Sequence, residues 1–321
     1  MSRDRSGRGT RGRNRRVRIA ASLAACALMT SGCVVVHGER EVLPAASRAE
    51  AARALARFTD AYNKADRAYD SSLDAGYVTG AFGAIDSARL KAGHTNNPGG
   101  NSRHTPLTLT DARFTIPAKA GWPRWFVVDA KGNKAGSARW LMAFVRDGLG
   151  ESWRVAYLTL VPAGQVPKFR IGADGWAEAV PAPDLSSRYA AYLRDGGRTF
   201  ADGPSTSGWR AIRARQARKP GLVRQYIDEP LTRDAFAPLA LRTTDGGTFV
   251  FFASHHYEKR TAAAGTSVAV PNRDVQALTK GEVKQSLTLE FVSNQAAVDP
   301  AGGGPVSVVG RVQGLTAAQG E

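Results

Sequence analysis

The chain has 321 residues, 43 % apolar and 22 % charged, which is globular usage and enough for one large domain or two ordinary ones. Its formal charge of +16 suggests a nucleic-acid partner, but eight Arg against one acid lie in residues 1–18, so a chain starting at Cys33 keeps 36 basic and 27 acidic residues. That remainder is even, 19 basic and 14 acidic residues in 34–180, then 17 and 13 in 181–321, which argues against a phosphate-binding arm and hence against nucleic acid.

Arg15-Arg16-Val17-Arg18 closes the basic segment, and Ile19 to Gly32 follow without a charge, ending in Thr30-Ser31-Gly32 before Cys33. A basic flank, a short apolar run and small residues before the cut describe a secretory signal peptide over residues 1–32. Its fourteen uncharged residues are too few to span a hydrocarbon core, which takes ~20 residues as a helix. The segment resembles bacterial lipoprotein signals. That resemblance implies an acylated Cys33 at the mature N-terminus, a location at the cell membrane facing away from the cytoplasm, and a membrane partner reached through the lipid. Leu23-Ala24-Ala25-Cys26 carries the Leu that Thr30 replaces, but it leaves only seven uncharged residues after the last Arg. Length favours Cys33, with Cys26 as the alternative; an ordinary cleaved signal has the same outline. Asn14-Arg15-Arg16 is similar to a twin-arginine signal, although Arg pairs arise easily in so basic a segment. These are the two cysteines of the chain, so an acylated Cys33 leaves no thiolate for a metal cluster, a disulfide or nucleophilic catalysis.

Residues 33–46 read as a membrane-proximal linker, and the thirteen residues of 34–46 reach at most ~45 Å. Ser47-Arg48-Ala49-Glu50 is a capping box, and Ala51, Leu55, Phe58, Tyr62 and Tyr69 mark one apolar helix face to about Asp70. Val78–Lys91 predicts a second, weaker helix, and Ala92–Pro106 a mobile polar loop. Strands follow at Leu107–Ile116, Trp125–Asp129, Ala138–Arg146 and Trp153–Val161. Pro162 to Pro183 reads as a crossing segment between an N-terminal domain, 47–165, and a C-terminal domain, 180–321. In the second half, Tyr189, Tyr192 and Leu193 predict one helix, and Trp209, Ile212 and Gln216 another. Strands then follow at Leu239–Arg242, Thr248–Tyr257, Gln285–Val292 and Val306–Val312. The order implies an α+β fold, helices packed on antiparallel sheets, as two similar units in tandem. In element order the first half resembles a nuclear-transport-factor-2-like or cystatin-like unit. The whole chain resembles the uncharacterised secreted lipoproteins of actinobacteria, a likeness carried by the signal, the Arg/Ala richness and the Trp-bearing strands.

Candidate chemistry is sparse. Adjacent His255 and His256 fall on a strand, so they point to opposite faces and cannot share a metal. His94 and His104 flank the polar loop at a spacing that matches no ligand pattern. Trp125, Trp140, Phe144, Trp153 and Tyr157 either line a pocket or, as strand aromatics usually do, fill a core. Arg210, Arg213, Arg215, Arg218, Lys219 and Arg224 form an unbroken basic run. Its first five residues are the candidate contact for anionic lipid headgroups or a cell-wall polyanion, against the plainer reading of a solvated helix face. No G-x-S-x-G, H-E-x-x-H, Walker A, G-x-G-x-x-G or calcium-loop pattern occurs, so the reading assigns no catalytic residue, metal or cofactor. The expected function is a membrane-tethered, non-enzymatic lipoprotein that binds a ligand or partner. A cell-envelope hydrolase with a dispersed active site is the alternative.

Overall fold

A computed structural model describes residues 41–321; Cys26, Cys33 and the signal-like segment lie outside them. A two-residue strand β1 (Leu43–Pro44) leads into helix α1 (Arg48–Ala68). Ser47 caps that helix by accepting the Glu50 backbone N–H at 3.1 Å. The reciprocal half of the box is absent, because the Glu50 carboxylate instead accepts from Arg146 and the Trp153 indole, each at 2.9 Å. Tyr69 ends the helix in the left-handed region, its N–H on the Ala65 carbonyl.

Helix α2 (Gly80–Asn96) is longer than its weak periodicity suggests. Phe82 packs with α1 and the first sheet, Ala81 and Ile85 with the second sheet, and Ala88 and Ala92 against Leu278. A helix enclosed this way has no single apolar stripe to betray it. The expected loop from Ala92 is therefore corrected to begin at Asn97. Gly93, inside the helix, lies on the Tyr69 ring, where a Cβ would come within 2.3 Å, so the close packing there requires glycine. Beyond it the chain is held rather than loose. Asn101 N–H donates to the Arg67 carbonyl at 2.8 Å, and Asn63 exchanges two hydrogen bonds with the Leu107 backbone.

The first sheet orders β2 (Leu109–Thr115), β4 (Arg124–Gly132), β5 (Arg139–Arg146) and β6 (Arg154–Val161), all antiparallel; β3 (Ala118–Lys119) pairs only with β1. Strands β4 and β5 are buried on both faces, which is why they read as near-continuous apolar runs. Phe126, Trp140, Met142 and Phe144 face α1, whereas Trp125, Val127, Leu141 and Tyr157 face the second sheet.

Helices α3 (Leu185–Asp195) and α4 (Ser207–Gln216) precede the second sheet, and α5 (Arg273–Leu278) interrupts it. That sheet contains β7 (Arg218–Lys219), β8 (Leu222–Leu231), β9 (Leu239–Arg242), β10 (Thr248–Ala262), β11 (Thr279–Lys280), β12 (Ser286–Asp299) and β13 (Ser307–Gly320). Its order is β11-β13-β12-β10-β8-β7, with β9 beside β10. Phe249 and Phe251 face the first sheet, and Val250 and Phe252 face α3. The layers thus run α1, first sheet, second sheet, α3. The pairing is antiparallel except β11 on β13, so the architecture is α+β as expected. The stretches 47–165 and 180–321, read from the sequence as two domains, share one inter-sheet core, and the described residues belong to one compact unit. The crossing segment is stitched to both: Ala177 N–H donates to Ile116, and Val180 N–H to Ala240.

Candidate functional site

The basic run does not lie on one helix. It begins on α4, passes through the β7–β8 turn and ends on β8. Arg213 is 6 % exposed and makes a bidentate pair with Asp228 of β8, at 2.7 and 2.9 Å. Arg224 donates to Gln216 and lies 3.6 Å from Glu258, which also accepts from Arg260. Arg213 is therefore removed from the expected contact set, because its charge is committed inside the protein. Arg215, Arg218 and Lys219 are exposed.

Arg210 is half-buried at the rim. Its guanidinium lies over the Tyr192 ring, donates from Nε to the Leu193 carbonyl, and rests on Gly196, where a Cβ would come within 2.6 Å. It borders a depression of about 290 Å³ between the end of α3, α4 and β8, shared with Arg194, Arg213, Tyr226 and Asp228.

Behind that depression the sheet face is rich in donors. Arg213 and Arg311 lie over the same Trp209 indole, at 5.1 and 4.6 Å, and Arg213 also lies over Tyr226. The Nε atoms of both arginines, the Trp209 Nε1 and the Tyr226 hydroxyl are buried without a protein partner. Burial, then the charges of Arg213 and Arg311, push His256 down to about 2, so this imidazole is neutral and stacks on Phe291. His255 points to the opposite face, 3.8 Å from Glu290, so neither histidine joins the other at a metal.

A second polar cluster joins α1 to α2. Asp66 accepts from Arg89 and sits 2.8 Å from His104 Nδ1; Arg89 also holds Asp86 at 2.8 Å. Burial would raise Asp66, but the hydrogen bonds from Arg89 and His104 leave it lowered. Burial first, and then Asp86, push the Asp74 carboxyl up to about 8. His104 and Ser102 wall an open depression of about 430 Å³. This cluster draws on residues 38 apart and was invisible to motif reading; His94 is exposed and takes no part. Among the described residues no three His, Cys, Asp or Glu side chains converge as metal ligands.

The five strand aromatics divide between two faces: Trp140, Phe144 and Trp153 lie in the α1-side core, and Trp125 and Tyr157 in the inter-sheet core. They line no common pocket. Among the described residues no helix is long and apolar enough to cross a membrane.

A family model described as Domain of unknown function (DUF8094) matches residues 42–320. The chain is 64 % identical over its full length to an uncharacterized lipoprotein of Streptomyces coelicolor, all of which is covered. It is 55 % identical, again over the whole of both chains, to an uncharacterized lipoprotein of Streptomyces avermitilis. A second Streptomyces coelicolor lipoprotein is 26 % identical over 66 % of this chain and 64 % of its own. No solved structure matches.

Proposed function

The chain belongs to the DUF8094 family, and from that premise we propose a lipoprotein tethered through an acylated Cys33 outside the cytoplasm, whose body binds an anionic ligand without turning it over. The lipoprotein names of full-length relatives support the tether, as does the signal-like segment that ends at Cys33. One observation carries the ligand reading. The Arg210 guanidinium is fixed by Tyr192, Leu193 and Gly196 at the mouth of a depression while its two Nη groups have no hydrogen-bonded partner among the described residues. A cation held in place loses little entropy on binding, and the planar guanidinium fork can meet two oxygens of a phosphate or carboxylate at once. Arg215, Arg218 and Lys219 follow it in the chain and are exposed, each able to contribute about 1 kcal/mol against an anionic surface.

A Cys33→Ser chain should bind soluble polyphosphate, and the binding should fade with salt as the Debye length falls to ~8 Å at 0.15 M. Arg210→Gln should abolish it. A parallel titration with anionic vesicles distinguishes a lipid headgroup from a free polyanion. Binding to neither would sink the ligand reading and leave the tether untouched.

A second reading, a cell-envelope hydrolase, is favoured by the His104–Asp66 pair beside Ser102. Labelling by a serine-directed fluorophosphonate, lost in Ser102→Ala, would establish it. The long helix, second helix and four-stranded antiparallel sheet support a nuclear-transport-factor-2-like or cystatin-like first half.

A further inference from the structure

The chain enters the described body at one corner. Leu43 pairs with Lys119 and Pro44 with Ala118, and the Ala45 N–H donates to the Pro117 carbonyl. Continuing that antiparallel register carries Val42 toward Ala120 and the Trp122–Pro123 turn. From Cys33 to Leu43 is ten residues, a span of at most ~36 Å. A lipid on Cys33 therefore holds this corner within ~36 Å of the bilayer.

The same corner is one end of the first sheet. Arg124 opens β4 opposite Arg146, which closes β5, and the turn Asp147–Gly150 follows directly. The apolar side chains at this end are unusually bare. Leu149 at the turn is 87 % exposed and Val42 is 63 %, the two highest values for large hydrophobic residues among those described. Scattered exposed apolar residues need no explanation, but one next to the Leu43–Lys119 pair and one three residues beyond Arg146, which lies over Trp122, give this end the composition of a membrane interface.

The polar groups fit that reading. Arg124 and Arg146 lie over the Trp122 ring, at 5.0 and 5.3 Å, and Lys119 donates to the Pro123 carbonyl at 3.0 Å. Burial, then the charge of Arg124, lowers Lys119, a cost that an adjacent phosphate would offset. The Nε atoms of Arg124 and Arg146 are buried without a partner. Beside them a pocket of about 300 Å³ is walled by Arg53, Arg57 and Arg146 together with Glu50 and Glu151. The acids at this end are not idle: Glu50 pairs with Arg146, and Asp147 with Arg154. Lys119 and Arg124 make no ion pair among the described residues.

We propose that the end of the first sheet bearing Val42, Trp122 and Leu149 is the face that docks on the bilayer. Leu149 and Val42 enter the interfacial layer, and Lys119 and Arg124 meet anionic headgroups. The proposal rests on the Cys33 tether, and it assigns the bilayer to a different surface from the α4 depression.

The test uses the mature protein, purified with its lipid and reconstituted on vesicles containing phosphatidylglycerol. Leu149→Cys and Arg215→Cys chains each carry one new thiol for an environment-sensitive dye. Intact mass is read first, because a second dye on Cys33 would show that residue unmodified and so overturn the tether itself. With one dye per chain, the expected result is a blue shift and quenching by spin-labelled lipid at position 149 and neither at 215. In the otherwise unlabelled lipid-free chain, Leu149→Asp should weaken binding to the same vesicles roughly tenfold. A signal at 215 instead of 149, or at neither position, would overturn the proposal.

Discussion

Two buried polar clusters solve one electrostatic problem in opposite ways. Between α1 and α2, three carboxylates (Asp66, Asp74 and Asp86) face one guanidinium, Arg89, with His104 at the side. A carboxyl can shed its charge, and the surplus acid Asp74 is held protonated by burial and by Asp86. Under α4 the imbalance is reversed: Arg213 and Arg311 flank Trp209, and Asp228 is the acid bound to Arg213. A guanidinium cannot deprotonate in a protein, so the surplus there stays charged; Arg311 donates through Nη2 to Gln313 and Ser293, but its Nε, like that of Arg213, has no partner. The first cluster leaves Asp74 Oδ2 and Asp86 Oδ2 unpartnered, which one proton shared between the two carboxyls can complete. The second is the one that an anion would complete.

That contrast can be broken by substitution. The largest effect is expected for Asp228→Ala, which strands the buried Arg213 and should destabilise by about 3–5 kcal/mol throughout the neutral and mildly alkaline range, read by urea unfolding. Arg89→Met strands Asp66 and Asp86 instead, and those groups can take up protons. Its cost should be about 1–3 kcal/mol in mild alkali and should shrink as pH falls. Equal, pH-independent costs for the two variants would contradict the comparison.

Asp74→Asn sharpens it further. The folded value of Asp74 stands above the unfolded one, so its bound proton contributes stability in full below about 3.8, and that stability is lost as pH rises through about 8. Thermal midpoints of the parent should fall across that window by more than those of the Asn variant, a difference on the order of 1 kcal/mol. Parallel pH curves would show that Asp74 is ionised throughout. The smallest effect belongs to Arg215, Arg218 and Lys219. Replacing all three by Gln should leave unfolding within about 0.5 kcal/mol of the parent, since these side chains are exposed.

What the sequence exposed was local. Ser47 and the spacing through Phe58 define α1, and the β-branched and aromatic runs locate β4 to β6, because caps, helical faces and strand runs are written within a few residues. Enclosure hid the rest of α2, since a helix packed on several sides shows no stripe. Strand β8 was lost inside the basic run. Its outward Val223, Gln225, Ile227 and Glu229 mix apolar with charged residues, so the period of two is masked. The six-residue α5 is too short to show a period. Neither polar cluster was legible, because Asp66 meets His104 across 38 residues and Arg311 reaches Trp209 only through the sheet. Counting charges along the chain identified Arg213 correctly as part of a basic run, but only the fold shows that Asp228 neutralises it.

A body held to the membrane by a lipid on Cys33 can be recognised by its mass in the membrane fraction. Intact-mass analysis should find a chain that begins at Cys33 and carries added diacylglyceryl mass, with Cys33→Ser either released or left as an uncleaved precursor. A chain recovered wholly from the medium with Cys33 unmodified, or acylated at Cys26 instead, would contradict it.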